Sequence, residues 1–387
     1  MLGLLRRLWM GSPMGESLAN VCVVLFFTRG VGLSRWDQTG MFERETALYH
    51  KMRGCVRGVT FVTYGGREDL SYGEGLAGIH VVCNRWGLPA GLYAAMLSRF
   101  YPLCRGPAVF KSNQVPGADV ALRAARRSGA RFVARCGYLY SDFMGHKHGW
   151  DSRQAAQARA LERHVFGTAD RVVVTTDAMR DSVAERYGLP AERIRVVPNY
   201  VQTDIFRPDP ALPGSARRLC FVGRLEEQKN LFALLDAIKG LDVELLVIGE
   251  GRLRGALEQK VRAEWLPVRP LGNVPHRELP AILNSCAIFL LPSLYEGHPK
   301  VLIEAMACGL PVIGTDVPGI RELIRHRQTG YVCGTSAAQL RSAICEVLSD
   351  CELAARMGRG ARAFVVEHFA LERVVKMELE LLEELIQ

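Results

Sequence analysis

The sequence lacks a long apolar run, closely paired cysteines and low-complexity stretches. Its longest apolar run, about Val21–Phe27, is far shorter than the ~20 residues that a membrane-spanning helix needs. The 11 cysteines are scattered and never spaced as C-x-x-C, which argues against a zinc site or a disulfide framework and favours a reducing compartment. The initial segment MLGLLRRLWMGS has no long apolar core. We therefore interpret it as an irregular or membrane-touching end and not as a signal peptide.

The length and composition are those of a two-domain globular protein. The chain has 387 residues, of which 49% are hydrophobic and 23% charged, enough for two domains of ~150–200 residues each. Residues 1–205 hold 27 Lys and Arg against 17 Asp and Glu, a net charge of +10, whereas residues 206–387 hold 22 against 23, a net charge of −1. We expect the first half to meet an anionic partner, although a solvated arginine-rich surface explains the same composition.

Short β-branched runs alternate with amphipathic helical stretches, which is typical of parallel α/β layers. The predicted strands are Asn20–Thr28, Val59–Tyr64, Ile79–Cys83, Ala108–Lys111, Arg131–Ala134, Arg171–Thr175, Leu219–Val222, Val243–Ile248, Ala287–Leu291 and Pro311–Gly314. Residues 198–214 carry four prolines and few apolar residues, so they predict an interdomain linker. We expect two doubly wound domains, over 1–205 and 206–370, with a cleft at the carboxyl ends of their strands. A C-terminal helix over 371–387 is expected to pack back toward the first domain.

The strongest chemical signal is the segment SLYEGHPKVLIEAMACGLP at residues 293–311. Glu296 directly follows a predicted strand, and Pro299 suits the first turn of a helix. Such a helix would aim free N–H groups and the positive end of its dipole at a phosphate. Glu296 in the loop and Glu304 inside the helix are placed to accept hydrogen bonds from paired sugar hydroxyls. In isolation, the same spacing also fits a plain strand-to-helix turn with a solvated glutamate.

A second signal is the segment FVGRLEEQKN at residues 221–230. The predicted strand ends at Gly223, and Arg224 and Lys229 follow in the loop before the next helix. Arginine offers a planar fork to phosphate oxygens, and lysine offers a point charge. Loop cations are usually solvated, but these two follow the carboxyl end of a strand, where ligands of α/β proteins bind.

These two segments resemble the retaining glycosyltransferases of family 4, which have the GT-B fold. The resemblance also includes VVPNYVQTDIFRP at 196–208, IGEG at 248–251 and LGNV at 271–274. It implies two Rossmann-like domains, of which the second binds a nucleotide-sugar donor without a metal or any other cofactor. The chain contains no Asp-x-Asp motif of the metal-dependent sugar transferases.

The resemblance also assigns roles to individual residues. Arg224, Lys229 and Glu296 would be catalytic, the two cations at the diphosphate and the glutamate at the sugar. Charge builds on the diphosphate as the glycosidic bond breaks, and preplaced cations and a helix N-terminus stabilise that charge. Glu304 would accept hydrogen bonds from the ribose hydroxyls. The other donor-binding residues would be Gly223, Gly272, Val274, Gly297, His298, Pro299, Lys300, Val301 and Leu302. Of these, the last two would offer backbone N–H groups to phosphate.

The first half matches the family less closely. Members often have a Gly-Gly turn after the first strand, with which we align Gly40 and the helix after it. Many carry a histidine after a central strand of the first domain; here Arg135 stands in that region, with His146 and His148 further on. These four residues are the predicted acceptor contacts, and a surface-loop role for the two histidines remains an alternative. Retention needs no strong base if the departing phosphate oxygen takes the acceptor proton.

A basic cluster and an apolar segment stand out in the first half. They are Arg123, Arg126, Arg127 and Arg131 around one predicted helix, and Trp86–Phe100 with Arg85 and Arg99 at its edges. Together they would form a face that contacts an anionic membrane; an exposed arginine-rich helix beside a buried helix explains them equally well. We expect a cytoplasmic protein at the inner face of the cell membrane, with a glycan or lipid-linked acceptor and no nucleic-acid partner.

The predicted function is transfer of a sugar, with retention, from a nucleotide-diphosphate sugar to a hydroxyl acceptor in envelope-glycan or exopolysaccharide assembly. One alternative is a GT-B sugar-nucleotide epimerase, which needs no separate acceptor. A phosphorylase would have a lysine-bound pyridoxal cofactor and a far longer chain. A nucleic-acid-binding protein is suggested only by the basic first half, without a matching aromatic-and-basic motif. A non-catalytic sugar-nucleotide sensor is disfavoured by the joint presence of Arg224, Lys229, Glu296 and Glu304.

Overall fold

The structure is a computed structural model that describes residues 18–387 except 101, 102, 105 and 213. The segment MLGLLRRLWMGS, interpreted above as an irregular or membrane-touching end, lies outside the described residues. The chain divides into two compact units. The N-unit comprises the chain up to Pro198 together with Val374–Gln387, and the C-unit comprises Asn199–Arg373.

The N-unit is built on a sheet of seven parallel strands in the order β3-β2-β1-β4-β5-β6-β7. The strands are β1 (Cys22–Phe26), β2 (Gly58–Val62), β3 (His80–Val82), β4 (Ala108–Ser112), β5 (Arg131–Cys136), β6 (Arg171–Val174) and β7 (Ile194–Val196). The central strand β1 pairs with both β2 and β4, so that Cys22 lies opposite Gly58 and Ala108. Helices cover both faces of such a sheet, which is why its central strands are continuous apolar runs and not alternating patterns.

Eight helices lie in the N-unit before the chain enters the C-unit, within the described residues. They are α1 (Leu33–Gln38), α2 (Phe42–Met52), α3 (Gly73–Leu76), α4 (Ala90–Phe100), α5 (Ala118–Ser128), α6 (Tyr140–His148), α7 (Arg153–Thr168) and α8 (Asp177–Tyr187). Side-chain caps fix two of the starts: the Ser152 hydroxyl accepts a hydrogen bond from the Ala155 N–H, and the Thr176 hydroxyl accepts one from the Met179 N–H. Such caps satisfy N–H groups that have no partner inside the helix.

The C-unit repeats this architecture with six parallel strands in the order β10-β9-β8-β11-β12-β13. The strands are β8 (Arg218–Val222), β9 (Glu244–Ile248), β10 (Val268–Gly272), β11 (Ile288–Leu291), β12 (Val312–Thr315) and β13 (Tyr331–Cys333). The helices are α9 (Leu231–Ile238), α10 (Arg254–Ala263), α11 (Leu279–Asn284), α12 (Lys300–Ala307), α13 (Pro318–Arg321), α14 (Ala337–Ser349) and α15 (Cys351–Phe369). The predicted fold class of two doubly wound parallel sheets is confirmed.

The final helix, α16 (Leu371–Ile386), belongs to the N-unit from Val374 onward. The Lys111 ammonium on β4 forms an ion pair with the Glu378 carboxylate on α16, and both side chains are buried. Arg131 Nε also donates a hydrogen bond of 3.0 Å to the carbonyl oxygen of Leu385. The helix is therefore anchored to the sheet by charge as well as by its apolar side. Across the described residues, no helix combines the length and apolarity required to span a bilayer.

The predicted linker at 198–214 is not a free connection, because its first part packs into the C-unit. Val201 and Phe206 lie in the C-unit core. The Val201 N–H donates a 2.9 Å hydrogen bond to the carbonyl oxygen of Phe369. Arg362 donates hydrogen bonds to the carbonyl oxygens of Phe206 and Thr203, at 2.6 and 2.9 Å. Proline content suggested a loose tether, but the few apolar residues of this segment are the ones that anchor it.

Candidate functional site

The two motif segments meet at the centre of the C-unit sheet. One loop follows β8 and the other follows β11, and these strands are neighbours although β9 and β10 separate them in sequence. Strand order reverses at this point, which opens a crevice beyond the carboxyl ends of the strands. Fold topology therefore brings residues 223–230 and 293–300 to the position where doubly wound sheets bind ligands.

Lys229 and Glu296 form an ion pair at this position, with side chains only 10% and 8% exposed. Lys229 ends a short 3₁₀ turn, Glu227–Lys229, that the loop after β8 makes before α9. Ser293 holds the same carboxylate, since its hydroxyl donates a 2.6 Å hydrogen bond to Glu296 Oε1. The Thr315 hydroxyl in turn donates to the Ser293 carbonyl oxygen. The glutamate is thus held in place before any ligand arrives.

Arg224 lies on the same loop, and its side chain is exposed. Arg224 Nη2 is 3.5 Å from Gln228 Oε1. Gln228 links the two loops, because its Nε2 donates a 2.7 Å hydrogen bond to the Tyr295 carbonyl oxygen and its own carbonyl oxygen accepts one from the Leu294 N–H. The Arg224 guanidinium therefore faces solvent beside two loops that are linked by hydrogen bonds. Gln228, which the sequence analysis missed, provides these links.

Glu304 lies inside α12 and is 1% exposed. Its Oε1 is 2.9 Å from His276 Nε2. His276 also packs against the Phe206 ring, with ring centroids 4.9 Å apart. Burial, and secondarily the Glu304 carboxylate, raise the pKa of the nearby Cys308 thiol to about 12, so this cysteine stays protonated at neutral pH. The predicted ribose contact is therefore a buried carboxylate positioned by a histidine.

The loop between Glu296 and α12 is tied to the start of the C-unit. The His298 carbonyl oxygen accepts a 2.7 Å hydrogen bond from Asn199 Nδ2, and the His298 ring packs against Phe369. Lys300 Nζ lies 5.8 Å from the centre of the Tyr200 ring. Gly297 and Pro299 complete the loop, and Pro299 is the N-cap of α12.

The first turn of α12 contains a backbone hydrogen bond of its own. The Leu302 N–H, predicted to face a phosphate, donates a 3.2 Å hydrogen bond to the Pro299 carbonyl oxygen. The Leu302 side chain is buried in the core, whereas Val301 is partly exposed. The turn closes on itself because Pro299 is followed at once by helical residues. The assignment of the Val301 and Leu302 N–H groups to phosphate stays a prediction.

Two glycines allow the loops around the site to approach each other. A Cβ on Gly249, which has φ of +128°, would lie 2.0 Å from the Gly223 carbonyl oxygen. A Cβ on Gly319 would lie 1.9 Å from the Gly297 carbonyl oxygen. Both positions exclude any side chain, since real Cβ atoms do not come so close to backbone. Gly319 was not predicted, although it follows a proline at a strand-to-helix turn.

The expected base-binding loop follows β10 at the edge of the sheet. Gly272 has φ of +67°, and its carbonyl oxygen accepts a 2.8 Å hydrogen bond from the Gly249 N–H. Val274 is partly buried and packs against the C-unit core. His276, two residues further on, carries the contact to Glu304. The loop is thus connected to both the β9 turn and the predicted ribose contact.

The predicted acceptor residues of the N-unit are spread over three places. Arg135 is on β5, and its N–H donates a 3.1 Å hydrogen bond to the Ser112 hydroxyl. Gly40 lies between α1 and α2, whereas the turn directly after β1 is formed by residues 28–31. His146 and His148 are exposed in the last turn of α6, roughly 10 Å along the helix from its start. These residues lie on different elements of the N-unit, and their contact with an acceptor stays a prediction.

Polar side chains that the sequence analysis missed lie beyond β1, β4 and β5. Gln114 Oε1 accepts a 2.9 Å hydrogen bond from the Gly137 N–H. Asn113 Nδ2 is 3.5 Å from the Thr28 hydroxyl oxygen. Because β1 and β4 are the neighbours at the reversal point of this sheet, these residues stand where a second ligand is expected. Their signal in the sequence is a polar pair directly after a buried strand.

Comparison with known families covers most of the chain. Residues 202–364 match the family described as Glycosyl transferases group 1, and residues 46–205 match Glycosyltransferase Family 4. The chain belongs to glycosyltransferase family 4. The resemblance found from the motifs is thereby confirmed. Among the described residues, no three His, Cys, Asp or Glu side chains are grouped so that they could hold a metal ion.

Characterised relatives match parts of this family 4 chain. A glycogen synthase of Mycobacterium tuberculosis is 29% identical over 252 residues, which cover 61% of this chain and 59% of that protein. An N-acetyl-alpha-D-glucosaminyl L-malate synthase of Bacillus anthracis is 28% identical over 265 residues, which cover 62% of this chain and 69% of that protein. The chain thus spans less than two thirds of the length of the glycogen synthase.

Solved structures share the fold over nearly the whole chain. HepE of Anabaena, crystallised with UDP and glucose, superposes with a TM-score of 0.74 at 18% identity, covering 94% of this chain and 100% of HepE. A sucrose-phosphate synthase of Thermosynechococcus elongatus gives a TM-score of 0.73 at 20% identity, covering 95% and 99%. These similarities show the GT-B arrangement of two Rossmann-like sheets.

Proposed function

We propose that this chain is a retaining glycosyltransferase that moves a sugar from a nucleoside-diphosphate sugar to a hydroxyl acceptor. The observation that carries the proposal is the buried Lys229–Glu296 pair, with Arg224 beside it, at the reversal point of the C-unit sheet. A cation and an anion held close together fit a ligand that is anionic at one end and becomes cationic at the other. A donor sugar with its departing diphosphate is such a ligand.

The chemistry of each residue follows from the charge changes of the reaction. The bond between the anomeric carbon and the diphosphate oxygen breaks, and a bond forms between the anomeric carbon and the acceptor oxygen. The acceptor proton passes to the departing phosphate oxygen. Arg224 and Lys229 stabilise the negative charge that grows on the diphosphate. Glu296, fixed by Ser293, stabilises the positive charge that develops on the sugar.

The remaining donor contacts are assigned by position. Glu304 accepts hydrogen bonds from the ribose hydroxyls, and the loop from Gly272 to Val274 lies along the base. The relatives support a nucleotide donor in general: HepE was crystallised with UDP and glucose, and the M. tuberculosis relative is a glycogen synthase. We infer a hydroxyl acceptor bound by the N-unit, where Asn113 and Gln114 follow β4 at the reversal point of the sheet and Arg135 lies on the neighbouring strand β5.

We infer that the acceptor is a lipid-linked or envelope glycan and that the chain acts at the cytoplasmic face of a membrane. The net charge of +10 over residues 1–205 supports this inference, since anionic lipid surfaces attract basic segments. Trp86 and Leu92 add exposed apolar side chains in the N-unit. Such a surface would bring the chain to an acceptor that is fixed in a membrane.

A binding screen followed by a transfer assay tests the proposal. The chain is melted with a panel of nucleotide sugars, because a ligand that binds only the folded state raises the melting temperature by mass action. The donor that binds is then incubated with membrane lipid extract, and nucleotide release is measured. We expect release that depends on the extract. Stabilisation without release in any acceptor mixture would favour a non-catalytic sensor, and conversion of the sugar without an acceptor would favour an epimerase.

Metal independence is a separate part of the proposal. Arg224, Lys229 and the α12 N-terminus would supply the positive charge that a divalent ion supplies in other sugar transferases. We expect transfer to proceed at an unchanged rate in EDTA. Complete loss of activity on chelation, with recovery on adding magnesium or manganese, would show that these groups do not neutralise the diphosphate by themselves.

A further inference from the structure

A cavity of about 330 Å³ lies in the N-unit, in a groove between α4 and α5. We call it the arginine groove. Its charged lining consists of Arg29 from the turn after β1, Arg99 from α4, and Asp119, Arg123 and Arg127 from α5. Four arginines against one aspartate leave an excess of three positive charges. None of these five residues has a role in the donor site described above.

The Asp119 carboxylate holds two of the arginines of the arginine groove in place. Arg29 Nη2 donates hydrogen bonds of 2.9 Å to both oxygens of Asp119. Arg123 Nη2 forms an ion pair with Asp119 at 3.0 Å. Arg29 and Arg123 are about half exposed, so each guanidinium keeps donors that face solvent. Asp119 therefore fixes two positively charged forks side by side without neutralising both.

The other two arginines of the arginine groove are Arg99 and Arg127. Within the part of the chain that the structure describes, no acidic side chain pairs with Arg99 or Arg127. Asp119, Arg123 and Arg127 are spaced by four residues, so they follow one face of α5 over about 12 Å. An elongated anion can therefore contact cations along the whole groove.

The floor of the arginine groove is made of small residues. Gly91, Ala94 and Ala95 of α4 line it, so the α4 side leaves room for a bulky head group. The buried Tyr64 hydroxyl has no hydrogen-bond partner among the described residues. Burial raises its pKa, and the charges of Arg29, Asp119 and Arg123 also act on it. A neutral donor thus lies in the field of the same cluster.

From this geometry we propose that the arginine groove is a binding site for a phosphate-bearing ligand, either a phospholipid head group or a free phosphate or diphosphate. Guanidinium groups in fixed positions bind phosphate oxygens through paired, charge-assisted hydrogen bonds. The site goes beyond sugar transfer, because it belongs to the N-unit and shares no residue with the donor site. It also narrows the broad basic surface expected from the sequence to one groove.

Binding of two probes to a pair of variants tests the arginine groove. The probes are inorganic pyrophosphate and vesicles of phosphatidylcholine with or without phosphatidylglycerol. The test variant is Arg123→Ala with Arg127→Ala, and the control is Arg126→Ala with Arg163→Ala. The control removes the same charge from exposed positions of α5 and α7 that do not line the groove. We expect the test variant to bind at least about tenfold more weakly and the control less than about twofold.

The two probes identify the source of the phosphate. If the test variant loses binding only to anionic vesicles, the ligand is a lipid head group. If it loses binding only to pyrophosphate, the ligand is a free diphosphate. Both results support the proposed site. Equal weakening in the control, or no binding of either probe to the unmodified chain, would overturn the proposal. Arg224→Ala, in the C-unit, detects pyrophosphate bound at the donor site instead. UDP binding is measured on every variant, so that failure of the donor site is distinguished from failure of the groove.

Discussion

At the residue scale, the candidate donor site contains two charged side chains that are each held by a partner. Lys229 contacts Glu296, and His276 contacts Glu304. Such pairs hold side chains in place before a ligand binds, which lowers the reorganisation that the ligand must drive. They also mean that the ligand competes with an existing contact. In the proposed reaction the consequences for catalysis would differ between the two pairs, because only Lys229 and Glu296 would face atoms whose charge changes.

Lys229→Ala is expected to lower kcat by about 10²–10³-fold. The reason is that the lysine stabilises charge that appears only as the diphosphate departs. Steady-state kinetics with a fixed acceptor measures the effect, and circular dichroism checks folding. Lys239→Ala is the matched control, since Lys239 is an exposed lysine of the same unit that pairs with Glu264. A large rise in KM with unchanged kcat would place Lys229 in ground-state binding only.

Glu304→Gln is expected to raise the donor KM about 10–100-fold and to change kcat little. The ribose does not change during the reaction, so its contact contributes equally to the ground and transition states. His276→Ala should act in the same direction but less strongly, because His276 only positions the carboxylate. His276→Gln should restore part of the affinity, since an amide also donates a hydrogen bond. A fall in kcat as large as that of Lys229→Ala would contradict this assignment.

At this scale, the sequence singled out the residues of the candidate donor site but not their contacts with each other, and the ligand roles of these residues stay predictions. Arg224, Lys229, Glu296 and Glu304 lie in recognisable motifs next to strand ends. The contact between His276 and Glu304 joins residues 28 positions apart on different elements, and neither periodicity nor spacing reveals such a contact. The predicted acceptor residues stay a prediction that rests on less specific motifs, because the first half lacks motifs comparable to those of the second.

At the element scale, close backbone packing fixes the loop that carries Glu296. Gly319→Ala would place a Cβ within 2 Å of the Gly297 carbonyl oxygen. We expect it to lower the free energy of unfolding by about 1–3 kcal/mol and to lower kcat, because the loop must move. Gly255→Ala on α10 is the control, as its Cβ would meet nothing within 4 Å. For Gly255→Ala we expect the free energy of unfolding to rise by about 0.5–1 kcal/mol. Equal effects in both variants, measured by urea unfolding, would refute the packing argument.

The C-terminal helix gives a second prediction at this scale. Burial lowers the pKa of the Lys111 ammonium, Arg135 lowers it further, and Glu378 opposes both. Lys111→Met should lower the free energy of unfolding by about 3–5 kcal/mol, because it leaves a buried carboxylate without its partner. Adding Glu378→Leu should recover most of the loss. If the double variant were no more stable than the single one, the ion pair would not be what anchors α16.

The strands that the sequence analysis missed share a physical cause. They are β7, β10 and β13, and each lies at an edge of its sheet. Central parallel strands are buried on both faces and form apolar runs, whereas an edge strand is partly exposed. The β10 sequence VRPLG contains a charge and a proline, and none of its residues is fully buried. Hydrophobic pattern therefore predicted the central strands of both sheets and the edge strand β3, and it missed the other three edge strands.

At the scale of the whole molecule, the two units have similar parallel-sheet folds, and the sites described above lie in different units. Each sheet runs outward from a central strand and reverses at one point. The candidate donor site belongs entirely to the C-unit, and the arginine groove and the Lys111–Glu378 pair belong entirely to the N-unit. Substitutions in different units that share no partner should therefore act independently. This independence can be measured in the intact chain.

The final prediction combines one variant from each unit. Nucleotide at about 100 times its Kd should stabilise the unmodified chain by about 2.7 kcal/mol. Lys111→Met should lower stability and leave the Kd for UDP unchanged, as measured by calorimetric titration below the melting range. Lys229→Ala should weaken UDP binding, and it should also lower stability, because it leaves the buried Glu296 carboxylate without its lysine. The two changes should add in the double variant to within about 0.5 kcal/mol. A Kd altered by Lys111→Met in folded protein would show that the N-unit sheet controls the donor site, and the two units would then have to be treated as one energetic system.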